Sequence, residues 1–237
     1  MTVFPWAARG LSALLLAACL CAATAPAAMA EPQTPTLALG RLKAGNDRFV
    51  TNAADPVPLG GPSREAAGRS HAPIAMVLSC ADARVPPEFV FNTALGELFV
   101  VRSAGGVTDR AVAASLEYGA VALHAPLLVV MGHDACDVVR DAVPGAEAGS
   151  ANREYLRQAI RAGTTRVADQ KDTRAAVLAH VEQVINDVMA GSEPLRQAAG
   201  AGRLLVVGAY YEAASGRVIF SEPVTTATAP PTSSPHK

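Results

Sequence analysis

Ile74-Ala75-Met76-Val77-Leu78-Ser79-Cys80 is the stretch that decides the fold. Its apolar run, 74–78, is too short for a typical helix and rich in large aliphatics, so it reads as a strand buried on both faces. Similar runs at 98–102, 127–131 and 204–207 read as further strands, with a fifth at 218–221. Helical stretches lie between them. Thr108 or Asp109 can cap a helix through Leu116 to about 121, and Asp134 opens one through Val138 and Val139. Asp172 or Thr173 opens another through Met189, which Gly191 ends. Alternation of this kind predicts an α/β fold, a mainly parallel β-sheet flanked by helices. The fifth strand follows a Ser215-Gly216 turn with no room for a crossover helix, so it should be an antiparallel edge strand. Upstream, Leu39, Leu42, Asn46 and Phe49 recur at helical spacing, whereas residues 55–70 are rich in Pro, Gly and small polar types and read as a surface loop.

Around this core the 237-residue composition, 50% hydrophobic and 17% charged, fits one soluble domain, placed at 31–224. Twenty basic residues against 21 acidic ones, with no basic block, give no footprint for nucleic acid or an anionic membrane surface. Residues 1–30 read as a signal peptide: Arg9, an apolar stretch over 11–25, then Ala28-Met29-Ala30 before Glu31. That stretch is short for an uncleaved anchor and lacks a stop-transfer flank, so the mature chain should have no transmembrane span and be periplasmic or secreted. Leu16-Ala17-Ala18-Cys19 also resembles a lipobox, and the alternative is a lipoprotein anchored at Cys19. The tail at 225–237 is Pro, Thr and Ser and reads as disordered. Ordinary cleavage leaves two of the four cysteines, Cys80 and Cys136. In an exported protein their bland reading is one disulfide.

Their surroundings point elsewhere. Cys80-Ala81-Asp82-Ala83-Arg84 and Gly132-His133-Asp134-Ala135-Cys136 each begin where an apolar strand stops, and ligands gather at the carboxyl ends of strands in open α/β sheets. Cys80, His133 and Cys136 are donors that suit zinc, and three protein ligands leave a fourth tetrahedral position open for chemistry. Singly these signals are weak: H-x-x-C is common, and Asp82 with Arg84 could be a surface ion pair. In this order, at two strand ends, they reinforce one another.

At these residues the chain resembles the β-class carbonic anhydrases, and the resemblance covers nearly the whole mature chain. It rests on Cys80-Ala81-Asp82-Ala83-Arg84-Val85-Pro86, on Gly96-Glu97-Leu98-Phe99-Val100-Val101-Arg102 with Ala104-Gly105, and on Glu117-Tyr118-Gly119. Gly132-His133-x-x-Cys136, Gly45-Asn46-x-Arg48-Phe49 and Gly208-Ala209-x-Tyr211 complete it. The resemblance implies one Zn2+ per subunit, reversible hydration of carbon dioxide to bicarbonate and a proton, and a homodimer or homotetramer. Zinc-bound hydroxide would attack carbon dioxide, oriented by Asp82, with Arg84 holding that carboxylate off the metal. The family shows open and closed arrangements, so Asp82 is both a catalytic group and, in the closed state, a fourth ligand. Phe99 and Tyr118 would flank the substrate pocket, unless they are ordinary core aromatics, and His71 would reach it from the neighbouring subunit.

Ala83, Gly106, Asp137 and His71 depart from the family's usual residues, and Val77 replaces the Trp of a regulatory bicarbonate site. Two other readings stay open. One is a zinc-binding fold homologue with little or no hydration activity, for which Asp137 speaks as an added carboxylate near the metal. The other is a hydrolase of a related small molecule such as carbon disulfide.

Overall fold

In the computed structural model, which describes residues 33–54, 57, 59–142, 149–169 and 172–224, the chain opens on helix α1 (Pro35–Val50). Thr34 caps it, its hydroxyl accepting the Leu37 N–H at 3.3 Å, and Pro35 takes a first-turn place where its missing N–H costs nothing. The buried face of α1 carries Ala38, Leu42, Gly45 and Asn46. A Cβ on Gly45 would stand 1.9 Å from the Phe91 carbonyl oxygen, so only glycine lets the helix come this close. Asn46 then ties three segments together. Its amide nitrogen donates to Val90 O at 3.1 Å and Gly216 O at 2.8 Å, and its oxygen accepts from Val218 N at 2.9 Å.

After α2 (Gly61–Arg69) come β1 (Ala75–Cys80), the short α3 (Pro87–Val90), β2 (Leu98–Ser103), α4 (Arg110–Glu117) and β3 (Leu127–His133). Helices α5 (Asp137–Ala142), α6 (Ala151–Thr164), α7 (Thr173–Gly191) and α8 (Glu193–Gly200) lead to β4 (Leu205–Glu212) and β5 (Arg217–Phe220). The sheet order is β2-β1-β3-β4-β5, with β5 antiparallel to β4 and every other pair parallel. The α/β class, the parallel core and the antiparallel edge are therefore those the sequence predicts. All six residues of β1 are buried, as expected of a strand covered on both faces. Helix α7 lies across β3 and β4 at glycines: a Cβ on Gly132 would meet Val177 and Val181, and one on Gly208 would meet Val181.

Caps fall where the sequence places them at α4, where Asp109 accepts Val112 N at 2.8 Å, and at α7, where Asp172 accepts Ala175 N at 2.9 Å. Beyond Glu117, α4 loosens into a wider turn over Tyr118–Ala122. Two expectations fail. The supposed surface loop at 55–70 contains α2, which starts at Gly61-Pro62 and has the Arg64 side chain donating to Leu59 O at 2.6 Å; it buries none of its residues, so it shows no apolar stripe. The helix expected to open at Asp134 begins only at Asp137, because Ala135 takes a left-handed φ of 48° that breaks helical continuation. Asp134 instead accepts the Ala213 N–H at 3.0 Å.

Residues 1–30 and 225–237, read as signal peptide and tail, lie outside the described residues. Among the described residues no helix is long and apolar enough to cross a membrane.

Candidate metal centre

Adjacent parallel strands bring the two sequence motifs together. β1 and β3 pair in register up to Ser79 and Met131, so Cys80 and His133 end neighbouring strands. The left-handed turn at Ala135 then brings Cys136 back beside them. One ligand atom from each of Cys80, His133 and Cys136 lies within 4.8 Å of the others, all three residues are buried, and both cysteines are free rather than disulfide-bonded.

Hydrogen bonding fixes the form of the imidazole. His133 Nδ1 lies 2.7 Å from the Asp134 carbonyl, which can only accept, so Nδ1 carries the proton and Nε2 presents a lone pair. Nε2 is buried and has no hydrogen-bond partner among the described residues. A buried lone pair beside two sulfurs is what a metal would satisfy, and an Nδ1–H held by a backbone carbonyl is the usual support of a ligating histidine.

The sulfurs share one environment but not one proton affinity. Cys80 is pushed down to about 4, chiefly by a hydrogen bond from the Cys136 thiol, against burial and with help from His133 and two backbone N–H groups. Those are Asp82 N at 3.4 Å and Gly105 N at 3.3 Å from the sulfur. Cys136 is pushed up, by its hydrogen bond to Cys80 and by burial. Burial acts to lower His133, but the Cys80 thiolate outweighs it and the net shift is upward. Two sulfurs competing for one proton, with an imidazole nitrogen beside them, form a donor set that fits zinc, whose binding would displace the protons.

Asp82 stands beside this cluster, held by Arg84. The guanidinium donates from Nε to Oδ1 at 2.9 Å and from Nη2 to Oδ2 at 2.5 Å, and the Arg84 backbone N–H adds a bond to Oδ1 at 2.9 Å. These donors hold the carboxyl well below the usual carboxylate range. Arg84 also donates to Ala135 O at 3.1 Å, which links the pair to the turn before Cys136. Arg102 braces the loop from beneath, its side chain donating to Cys80 O at 2.9 Å and to Asp82 O.

The remaining sequence candidates are not among the three clustered donors. Phe99 on β2 and Tyr118 form a tilted ring pair with centroids 6.2 Å apart, over Gly119, and Tyr118 is about half exposed. His71 is exposed in the segment before β1. Asp137, the departure that spoke for a silent site, pairs with Arg140 at 2.6 Å and is 63% exposed. Sequence reasoning gave no role to Gly105 or His180, although Gly105 lies in a quoted motif and His180 is a lone histidine within an apolar helix. Both line a small cavity beside Cys80, His133 and Cys136, with Leu78, Val130 and Val177.

Comparison with known proteins agrees with this geometry. The sequence model of the carbonic anhydrase family matches residues 75–218. Carbonic anhydrase 2 of Mycobacterium tuberculosis is 33% identical over 199 residues, 79% of this chain and 93% of that protein. A carbonic anhydrase of Mycolicibacterium smegmatis is 35% identical over 197 residues, 78% of this chain and 92% of that protein. Among solved structures, the Coccomyxa β-carbonic anhydrase in complex with acetazolamide overlays with a TM-score of 0.62 at 24% identity, covering 82% of this chain and 89% of that one. The family match spans more than half of the sequence, including Cys80, His133 and Cys136, and the shared fold extends over most of the chain: it belongs to the β-class carbonic anhydrase family.

Proposed function

We propose that the protein is a zinc enzyme catalysing the reversible hydration of carbon dioxide, with Cys80, His133 and Cys136 as ligands. The observation that carries this reading is the gathering of three buried donor atoms, among them the unpartnered Nε2 of His133. Bound zinc supplies a Lewis acid that makes a water molecule acidic enough to deliver hydroxide near neutral pH. The chain's own residues orient the attack. Asp82, fixed by Arg84, accepts a hydrogen bond from the attacking oxygen and so aims its lone pair at the carbon. Because Asp82 is held strongly anionic, it orients this oxygen without taking the proton for itself; the proton leaves to solvent or buffer.

In this arrangement Asp82 is engaged by Arg84 and is a ligand only after that pair opens. Phe99 and Tyr118 supply apolar surface suited to a small apolar substrate. The unpaired edge at β2, with Phe89, Leu95 and Tyr118 exposed, supports assembly into a dimer or larger homo-oligomer, as does the likeness to β-carbonic anhydrases of Sordaria macrospora described as tetrameric. That structure overlays with a TM-score of 0.61 at 22% identity, covering 76% of this chain and 94% of that one. We further place the mature protein outside the cytoplasm; N-terminal sequencing of protein recovered from cells separates cleavage before Glu31 from lipidation at Cys19.

Metal analysis, X-ray absorption and stopped-flow hydration on one unreduced sample test the enzyme. Expected are one zinc per chain, sulfur neighbours at about 2.3 Å and rapid hydration. A disulfide between Cys80 and Cys136 in freshly prepared protein without metal would overturn the ligand assignment. Full zinc occupancy without hydration would leave only a silent fold homologue.

A further inference from the structure

Helix α7 is apolar along its buried face except at His180, which is 4% exposed. Its Nε2 lies 2.9 Å from the carbonyl oxygen of Gly105, which can only accept, so Nε2 carries the proton and donates. Its Nδ1 is buried with no hydrogen-bond partner among the described residues. Burial, the largest influence on this ring, opposes its protonation and favours the neutral form.

The receiving residue matters more than the bond. Gly105 has φ of 70°, in the left-handed region, and a Cβ there would press on Ile160 at 3.0 Å and Val138 at 3.3 Å. Its own N–H points the other way along the chain, to Cys80 Sγ at 3.3 Å. Gly105 is thus gripped on both sides: its carbonyl by the long helix and its amide by the ligand sulfur. A glycine lacks a side chain to restrict its dihedral angles, so the His180 bond is a restraint on the orientation of this carbonyl. The carbonyl and the amide lie in successive peptide planes that share the Gly105 Cα, so anchoring the first limits how far the second can swing from the sulfur. α7 itself is seated on β3 at Gly132, immediately before the ligand His133.

We infer that His180 is a positioning residue for the metal centre: through Gly105 it holds the backbone N–H that bonds the Cys80 sulfur, and so slows zinc release and tunes the donor strength of that thiolate. This rests on the zinc reading above. Supporting groups of a ligand typically carry about 10-fold to 100-fold in metal affinity. His180→Phe fills the same space without a donor, and His180→Gln restores an N–H near the Nε2 position.

The test compares the purified full-length protein with both variants. Zinc release to a chromogenic chelator is timed, and the thiolate-to-metal charge-transfer band is recorded after cobalt replacement. His180→Phe should release zinc about 10-fold faster and shift the band, while His180→Gln should return both toward the unmutated protein. Equal release rates and unshifted bands in His180→Phe would overturn the proposal, as would His180→Gln behaving like His180→Phe. If His180→Phe does not fold, nitrogen-15 spectra of the His180 ring in the unmutated protein decide. An Nε2–H tautomer held both with and without zinc supports the proposal, and an Nδ1–H tautomer defeats it. If the unmutated protein takes up no zinc at all, the ligand assignment fails rather than the role of His180.

Discussion

Replacing Gly132 by alanine puts a methyl group between β3 and α7, one residue before His133. The added Cβ would stand 2.5 Å from Val177 Cγ1 and 2.8 Å from Val181 Cγ2, against about 3.5–4.0 Å for comfortable carbon contacts. Each contact is therefore too close by roughly 1 Å. Neither valine can turn away easily, because a β-branched side chain in a helix is held to one rotamer, and both are buried. β3 is hydrogen-bonded on both sides, to β1 and β4, so it is α7 that must lift. Overpacking of this kind costs about 1–3 kcal/mol. At roughly 2–4 °C per kcal/mol for a chain of this size, a cost near 2 kcal/mol lowers the melting temperature by about 4–8 °C.

Gly40→Ala provides the matched control. Gly40 lies in α1, and a methyl group there would meet nothing within 4 Å, so alanine should stabilise by about 0.5–1 kcal/mol through helix propensity alone. Thermal and urea unfolding of both variants beside the parent tests the pair. A Gly132→Ala protein that melts at or above the parent, or two glycine variants that shift alike, would refute the close approach of α7 to β3.

Arg84→Ala should reduce hydration by about 100-fold or more while zinc content stays near one per chain, since it removes the guanidinium that orients Asp82 and none of the ligands; normal turnover would defeat that role. Asn46→Ala should cost about 3 kcal/mol or more, because two buried carbonyls and one N–H lose their partner together, read as a lower urea midpoint at unchanged slope. The carboxyl of Asp82 is depressed from its ordinary 3.8, so its pairing stabilises the folded chain fully above that pH, and the contribution is lost as pH falls toward the folded value. Asp82→Asn should therefore melt slightly below the parent at neutral pH and converge with it in acid, the difference kept small by the exposure of Arg84.

Strands β1, β3 and β4 were legible because each is a continuous buried run that ends abruptly at a polar or cysteine-bearing turn, as at Cys80 and His133. That same feature marked Cys80 and His133 as candidate donors. Helices α2 and α6 were hidden for opposite reasons. α2 buries none of its residues and so has no periodicity to read, while α6 buries Arg157, Gly163 and Thr164 with Ile160, a mixture that breaks an apolar pattern. Arg157 is accommodated there by donating to the Asp141 carbonyl at 3.2 Å, a partner that no local spacing reveals. His180 was equally invisible in its role, since its bond to Gly105 spans 75 residues and depends on a left-handed turn that only the fold brings within reach.

The Asn46 clamp has a temporal side. Its bonds to Gly216 and Val218 span 170 and 172 residues, joining the first described helix to the last hairpin. Loop closure of that length is slow, and no nascent chain can make it before β5 has left the ribosome. α1 must therefore wait, its Leu42 and Ala38 without their final packing, until synthesis is nearly finished. Completion of the core is set by the last strand to emerge, so a truncation just before Arg217 would strip α1 of the Val218 bond and of β5, leaving it held by Val90 and Phe91 although Cys80, His133 and Cys136 were all present.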